Sequence, residues 1–224
     1  MSQSEKILGS WKANAGNWIA TIENAEIESR RLVTNDAIIN TILEYNPTNV
    51  FDIGCGEGWL SRALHAKGIN TFGVDAIEEL VSEAIKKGGA FYKTATFSEL
   101  ANGEAGIDKK FDAAVVNFSL LDEEDTEALI KSANNYLNDN GYLIIQTLHP
   151  FAFAANSDYV TGWKEGSWNG MKRNFTQSYQ WYFRTLENWV QLFKEANLVV
   201  KEIKEPLHPE TKKPVSIIFV LKAR

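Results

Sequence analysis

The chain has 224 residues and a net charge of −6 at neutral pH, with 44% hydrophobic and 23% charged residues. These values are typical of a globular α/β domain that buries a sizeable core. The acidic balance disfavours nucleic acid as the main partner, because binding to phosphates needs a basic surface. We expect no membrane span and no secretory signal, since no apolar run has the required length or flanks. The single cysteine, Cys55, excludes an intramolecular disulfide and suggests a cytoplasmic protein.

Residues 1–46 have apolar side chains at helical spacing and are predicted to form helices that cap the core. Pro47 ends this region, because the residue before a proline is disfavoured in a helix. Residues 50–75 then combine a short apolar strand, a glycine-rich turn, an amphipathic helix and a second apolar strand. The core therefore begins close to residue 48.

The strand and helix pattern continues to residue 148. Further strands are predicted at 90–95, 111–118 and 142–148, further helices at 77–87, 97–100 and 123–137, and a turn at 138–141. Strand 111–118 is apolar at successive positions, as expected of a buried parallel strand. Together these elements predict a core with five parallel strands and helices on both faces.

Residues 149–183 interrupt the pattern with many aromatic side chains but no long periodic run. A loop of this length is usually functional or disordered, and its aromatic content argues against disorder. We expect an aromatic substrate cap over the ligand edge of the sheet. A helix at 185–196 and two strands at 198–203 and 215–222 follow, and their short connection predicts an antiparallel hairpin.

The predicted fold is therefore a single α/β domain over residues 1–224, with a Rossmann-like seven-stranded mixed sheet. Its parts are the helical cap 1–46, the cofactor-binding core 48–148, the aromatic insertion 149–183, and the C-terminal helix and hairpin 184–224.

The turn after the first strand carries the main chemical signal. Gly54, Gly56 and Gly58 alternate, Asp52 precedes them, and Asp75 ends the second strand. Glycines allow a backbone to pass close to a ligand, and an acid at the second strand's tip can accept both hydroxyls of a ribose. The pattern predicts a site for a nucleoside cofactor.

A dinucleotide-binding turn would have a third glycine where this chain has Trp59. The alternating glycines, Asp52, Asp75 and the terminal hairpin instead resemble class I S-adenosylmethionine-dependent methyltransferases, in particular those of the ubiquinone-biosynthesis O-methyltransferase type. The resemblance covers roughly residues 48–222. It implies S-adenosyl-L-methionine as cofactor and S-adenosyl-L-homocysteine as product. No His, Cys or Asp cluster has metal-ligand spacing, so we expect no catalytic metal.

The resemblance also implies which residues contact the cofactor. The Gly54–Gly56 backbone would meet the methionine part, Asp75 the ribose, and an arginine of the N-terminal helices the carboxylate. Arg30 is preferred over Arg31 for this role, although either has a solvated helix face as its alternative. The full set of expected cofactor contacts is Arg30, Asp52, Gly54, Cys55, Gly56, Asp75, Ala76, Thr96, Phe97, Asn117 and Phe118.

Thr96 and Phe97 are expected beside the adenine, where the family often has an acid that this chain lacks. Core packing is the alternative role for Phe97 and Phe118. His149 directly follows the fifth parallel strand and is the candidate general base, with a backbone-bonded turn histidine as the alternative.

The aromatic insertion favours a planar or apolar small-molecule acceptor, with oxygen as the expected methyl acceptor. Cys55 lies within the glycine turn and does not suit the nucleophile of cytosine-C5 enzymes. The motif of amino-methylating nucleic-acid enzymes is also absent after Asn117. A non-catalytic cofactor-binding module and, less favoured, an NAD-dependent dehydrogenase remain alternatives, and the sequence does not define an oligomeric state.

Overall fold

The computed structural model describes residues 1–154 and 158–223. Eight α-helices are found in this part of the chain: α1 (Gln3–Glu23), α2 (Asn35–Glu44), α3 (Trp59–His65), α4 (Glu78–Lys87), α5 (Phe97–Ala101), α6 (Glu124–Ser132), α7 (Pro150–Ala154) and α8 (Leu186–Glu195). A π-helical turn (Arg30–Thr34) precedes α2, and a 3-10 turn (Ala133–Tyr136) follows α6.

Seven strands form the main sheet: β1 (Asn49–Ile53), β2 (Asn70–Asp75), β3 (Phe91–Thr94), β4 (Phe111–Asn117), β5 (Leu137–Leu148), β8 (Leu198–Lys204) and β9 (Ser216–Ala223). Two short strands, β6 (Gly162–Lys164) and β7 (Trp181–Phe183), form a separate antiparallel pair. The main sheet has the order β3-β2-β1-β4-β5-β9-β8.

The five strands β1 to β5 are parallel, and β9 pairs antiparallel with both β5 and β8. The predicted mixed sheet and C-terminal hairpin are therefore confirmed. The prediction of a turn at 138–141 is wrong, because these residues lie within β5. They bulge out between the pairs Phe111–Leu137 and Ala113–Tyr142, where the register with β4 shifts.

Both faces of the sheet are buried under helices. On one face, Phe51 and Val116 pack in a cluster with side chains of α5, α6 and α8. On the other face, Val50 and Val115 pack against α2 and α3. Successive strand residues point to opposite faces, so a strand covered on both faces is expected to be mostly apolar. This explains the apolar character of β1 and β4, in which Asp52 of β1 is a buried exception that is hydrogen-bonded to Ser61.

Helix α1 begins with a reciprocal capping box between Ser2 and Glu5. It packs on α4 through Ala15, Ile77 and Leu80. The helical prediction for residues 1–46 is confirmed in kind, although the π-helical turn was not predicted from the sequence. No α-helix among the described residues has the length and apolar character needed to cross a bilayer.

The insertion 149–183 rests against α1. Trp168 Nε1 donates to Ser10 Oγ (2.9 Å), and Trp11 Nε1 donates to the hydroxyl of Tyr179 (3.1 Å). Asn14 exchanges two hydrogen bonds with the backbone of Thr176. Trp168, Thr176 and Tyr179 thus attach the insertion to α1.

Candidate functional site

A cavity lies at the carboxyl ends of the parallel strands, between the sheet edge and α1. The space between its walls is about 960 Å³, a value that includes the open solvent at its mouth. The predicted residues that line it are Arg30, Gly54, Cys55, Gly56, Asp75, Ala76, Thr96, Phe97, Asn117 and Phe118. The other predicted residues, Asp52 and His149, do not line this cavity.

The glycine turn follows β1 and forms the floor of the cavity. Gly54 and Gly56 have φ values of +75° and +57°, which favour glycine. A Cβ at Gly54 would lie 2.4 Å from Ser119 Oγ, whereas one at Gly56 would meet nothing closer than Trp18 Nε1 at 3.7 Å. Gly54 is therefore required by packing, while Gly56 leaves open space beside the cavity.

Asp75 ends β2 beside this turn. Its Oδ2 accepts a hydrogen bond from the backbone N–H of Gly56, and its Oδ1 accepts one from Ile77, both at 2.9 Å. Burial raises the pKa of Asp75, and these backbone hydrogen bonds oppose the shift. Each carboxylate oxygen has a second lone-pair direction, so the oriented side chain can still accept hydrogen bonds from a ligand.

Asp52 is only 1% exposed and lies beneath the turn rather than in the cavity wall. It accepts a 2.7 Å hydrogen bond from Ser61 Oγ of α3. Burial raises the pKa of Asp52 to about 7, against the Ser61 hydrogen bond and with the help of the nearby charge of Asp75. The structure therefore places the Asp52 carboxyl group away from the cavity wall, where it links β1 to α3.

Arg30 enters the cavity from the π-helical turn. Its guanidinium carbon lies 4.8 Å from the ring centroid of Trp59 and 5.6 Å from that of Trp18, and Nε donates to Asn35 Oδ1. The Nη2 atom is buried and has no hydrogen-bond partner. Burial lowers the pKa of Arg30 to about 10, and the charge of Glu57 opposes the shift. An uncompensated guanidinium of this kind favours an anionic ligand group.

Arg31, the other predicted candidate, is exposed and does not line this cavity. A π-helical turn adds a residue to the helical repeat and changes which side chains share a face. The choice between neighbouring arginines was therefore open from the sequence, and the structure brings Arg30 alone to the cavity.

The ends of β3 and β4 complete the predicted set. Thr96 caps α5 and shares a reciprocal capping box with Glu99, so its hydroxyl already has partners. Asn117 Oδ1 accepts from Gln146 Nε2 (2.8 Å). Phe118 has a φ of +56°, a conformation that is costly for a bulky residue and is found mainly where a site requires it.

His149 is 3% exposed, and its Nε2 lies 2.8 Å from Glu205 Oε1. Its backbone carbonyl accepts from Phe153 at the start of α7. The chain turns into α7 directly after β5, and this turn directs the imidazole towards the segment after β8. His149 is therefore held away from the cavity, and it is not one of the residues that line it.

Two carboxylates that the sequence reasoning did not select, Asp122 and Asp125, line the cavity beside Ser4 of α1. Asp122 Oδ2 accepts from Ser4 Oγ (3.0 Å), and its Oδ1 accepts from the N–H of Asp125 (2.9 Å). Burial raises the pKa of Asp125, and the charge of Asp122 acts in the same direction. The sequence predicts a helix at 123–137, and the position of these acids after β4, at the ligand edge of the sheet, was an available signal for a site.

The aromatic insertion contributes no lining residue among its described positions, 149–154 and 158–183. Instead, Ile7, Leu8, Trp11 and Trp18 of α1 form the apolar wall. The expected aromatic wall thus comes from the N-terminal helix, because the insertion packs against α1.

The sheet order, the glycine turn after β1 and the antiparallel β9 define the class of protein: a Rossmann-like methyltransferase fold. A family model described as a methyltransferase domain matches residues 27–203. The chain belongs to this family, and the resemblance to class I S-adenosylmethionine-dependent methyltransferases is confirmed.

Curated relatives include proteins named ubiquinone biosynthesis O-methyltransferase. The one from Rickettsia prowazekii is 23% identical over 91% of this chain and 79% of its own length. The one from Rickettsia conorii is 24% identical over 69% of this chain and 52% of its own length. The one from Xanthomonas axonopodis pv. citri is 31% identical over 52% of this chain and 50% of its own length. Several of these alignments thus span about half of the relative.

Solved structures support the fold. An S-adenosylmethionine-dependent methyltransferase from Clostridium acetobutylicum has a TM-score of 0.66 at 19% identity and covers 93% of this chain and 97% of its own. A DhpI-SAM-HEP complex has a TM-score of 0.68 at 14% identity, with 97% and 96% coverage. At these identities the comparison establishes shared architecture.

Proposed function

We propose that this methyltransferase binds S-adenosyl-L-methionine in the cavity between Arg30 and Asp75 and methylates a hydroxyl oxygen of a small molecule. One observation carries the proposal. The unpartnered Nη2 of Arg30, the open backbone at Gly56 and the oriented carboxylate of Asp75 all meet at one cavity.

These groups fit the parts of the cofactor. Arg30 is suited to the cofactor carboxylate, because a guanidinium hydrogen-bonds strongly to an anionic oxygen. Asp75 is suited to the ribose hydroxyls, and Gly56 allows close approach of the methionine part. Phe97 and Phe118 line the same cavity and are suited to apolar contacts with the nucleoside.

The cofactor supplies a methyl group that is already activated on a sulfonium. The remaining work of the protein is to hold the acceptor in line and to limit water, and such positioning can supply much of the rate enhancement. Ile7, Leu8 and Trp11 suit this role, because α1 places them over the cavity. We propose that residues 1–46 act as the cap and that the insertion 149–183 supports it.

Oxygen as the acceptor atom is supported by the names of the curated relatives, which are O-methyltransferases. The NAD-dependent alternative is disfavoured, because the bulky Trp59 occupies the position of the third glycine of a dinucleotide turn and packs under Arg30. A non-catalytic module would bind the same cofactor in the same cavity but would not transfer its methyl group, so only a measurement of catalysis distinguishes it from the proposed enzyme.

Isothermal titration calorimetry with S-adenosylmethionine, S-adenosylhomocysteine and NAD tests the cofactor. The first two are expected to bind with micromolar affinity, and NAD far more weakly. Tighter binding of NAD would overturn the proposal. Incubation with methyl-labelled cofactor and fractionated metabolites tests catalysis: labelled small molecules support an enzyme, and a complete absence of labelled product would favour the binding module.

A further inference from the structure

The cavity extends beyond the residues assigned to the cofactor. At this end it is lined by Ser4 and Leu8 of α1, by Leu121, and by the carboxylates of Asp122 and Asp125. We call this part the acceptor end. It lies after β4, on the same sheet edge as the glycine turn, so a molecule bound there would adjoin the proposed cofactor site.

Asp122 is fixed in this position and is only 8% exposed. Its two oxygens accept hydrogen bonds from Ser4 Oγ and from the backbone N–H of Asp125. Each oxygen retains a further lone-pair direction. The carboxylate is therefore oriented by the protein and still able to accept a hydrogen bond from a bound molecule.

The backbone that carries Asp122 is held from the opposite side. Tyr182 donates its N–H to the carbonyl of Leu121 (2.8 Å), and Arg184 donates to the carbonyls of Asp122 (3.2 Å) and Glu123 (2.9 Å). Arg184 is itself 2% exposed. Three successive carbonyls are thus bonded to Tyr182, in the last strand of the insertion, and to Arg184 just after it, which restrains Asp122 from turning away from the cavity.

No lysine or arginine among the described residues lines the acceptor end, and the nearby Arg184 lies behind the wall, where it donates to the backbone carbonyls of Asp122 and Glu123 and pairs with Glu127. Among the described residues that line this cavity, Arg30 is the single lysine or arginine, and it lies beside the proposed position of the cofactor carboxylate. Among the described residues, neither Asp122 nor Asp125 forms an ion pair with a lysine, arginine or histidine. A second anion brought here would be desolvated next to two carboxylates, which is unfavourable.

We infer that the acceptor is a neutral or cationic molecule that donates a hydroxyl or amine hydrogen to Asp122, and that acceptors bearing a carboxylate or phosphate near this end are rejected. This inference rests on the proposed function. It extends that proposal, because the carboxylates of Asp122 and Asp125 would select the charge of the acceptor. Asp122 would then be an acceptor-binding residue. The apolar side chains Leu8 and Leu121 favour a flat or hydrocarbon body for the same molecule.

Three catechols of similar size test the inference: dopamine is cationic, ethylcatechol is neutral and dihydroxyphenylpropionate is anionic. Binding to the S-adenosylhomocysteine complex is measured by calorimetry, and methyl transfer is measured as kcat/KM. We expect the cationic and neutral compounds to exceed the anionic one by about tenfold or more in both measurements.

Asp122→Asn is expected to reduce this charge discrimination to within about threefold while leaving S-adenosylmethionine affinity unchanged. Glu124→Gln is the matched control, because it removes one charge from an exposed position of α6 outside the cavity. Asp125→Asn provides a second cavity variant if Asp122→Asn does not fold.

Equal binding of the anionic and cationic catechols would overturn the inference, as would discrimination that survives in both cavity variants. Failure of all three catechols to bind would also overturn it, because the acceptor end would then not accept a hydroxyl donor of this class. If S-adenosylmethionine itself does not bind, the proposed function fails instead, so the two failures are distinguishable.

Discussion

The backbone N–H of Gly56 donates a 2.9 Å hydrogen bond to Oδ2 of Asp75 and so joins the glycine turn to the end of β2. The glycine turn and Asp75, which are separate features in the sequence, therefore form one hydrogen-bonded unit in the structure. Any ligand that contacts the turn also meets an aspartate whose orientation the turn has fixed.

Asp75→Ala is expected to weaken S-adenosylmethionine binding by well over tenfold. The substitution removes a charged acceptor for two hydroxyls, and hydrogen bonds to charged groups contribute about 1.5–3 kcal/mol each. Calorimetry with the folded variant measures the effect, and circular dichroism checks that the fold persists. An unchanged affinity would refute the ribose role of Asp75.

Arg30→Met should lower cofactor affinity by about tenfold to a hundredfold, because a charge-assisted hydrogen bond is lost while much of the apolar stem is retained. Arg31→Met is the matched control on the neighbouring, exposed position. Equilibrium dialysis with labelled cofactor compares the two variants. Equal losses, or a larger loss in Arg31→Met, would contradict the assignment.

Two glycines of the same turn should respond differently to alanine. Gly54→Ala creates a contact with Ser119 and is expected to lower the free energy of unfolding by about 2–4 kcal/mol. Gly56→Ala incurs backbone strain of about 1 kcal/mol, and its methyl group points towards open space beside the cavity. Gly56→Ala should therefore change the free energy of cofactor binding more than the free energy of unfolding. Urea denaturation measures stability and calorimetry measures cofactor affinity for both variants. A larger loss of affinity in Gly54→Ala, or a larger loss of stability in Gly56→Ala, would argue against the placement of this turn at the floor of the cavity.

The buried carboxyl of Asp52 predicts a pH dependence of stability. Its pKa is raised from 3.8 to about 7, so the folded state binds the proton more tightly than the unfolded state. The stabilisation is complete below the unfolded pKa and is lost as pH rises towards the folded pKa. The slope approaches at most about 1.4 kcal/mol per pH unit.

Asp52→Asn should therefore show a flatter stability profile than the wild type between about pH 4 and pH 7, while its hydrogen bond with Ser61 can persist in part. Urea titrations across this range give the comparison. Parallel profiles for the two proteins would mean that folding does not raise the pKa of Asp52.

His149→Gln is expected to retain cofactor affinity and methyl-transfer activity within about threefold, because the side chain does not reach the cavity and Gln can still donate to Glu205. Calorimetry and turnover of an identified acceptor measure both. A loss of activity of about a hundredfold with normal cofactor binding would restore the general-base hypothesis.

Local patterns allowed much of the fold to be predicted. Continuous apolar runs identified the doubly covered strands, and the short connection identified the hairpin of β8 and β9. The turn at 138–141 was mispredicted because a bulge can keep turn-like residues within a strand. Periodicity also cannot show a single π-helical turn such as Arg30–Thr34.

The site was predictable where residues are fixed by the strand ends, as for Gly54, Asp75 and Asn117. It was not predictable where orientation depends on tertiary contacts. His149 follows a strand at the correct edge, but Glu205 and α7 hold its ring elsewhere. Asp122 has no local sequence signal of a site, and its hydrogen bond with Ser4, 118 positions away, is a tertiary contact that no local pattern predicts.

A crystal structure of the protein with S-adenosyl-L-homocysteine tests the central claim most directly. We expect the cofactor carboxylate within about 3 Å of Arg30 Nη2 and the ribose hydroxyls at a similar distance from Asp75. A ligand bound away from the glycine turn, or one that contacts neither Arg30 nor Asp75, would contradict the account.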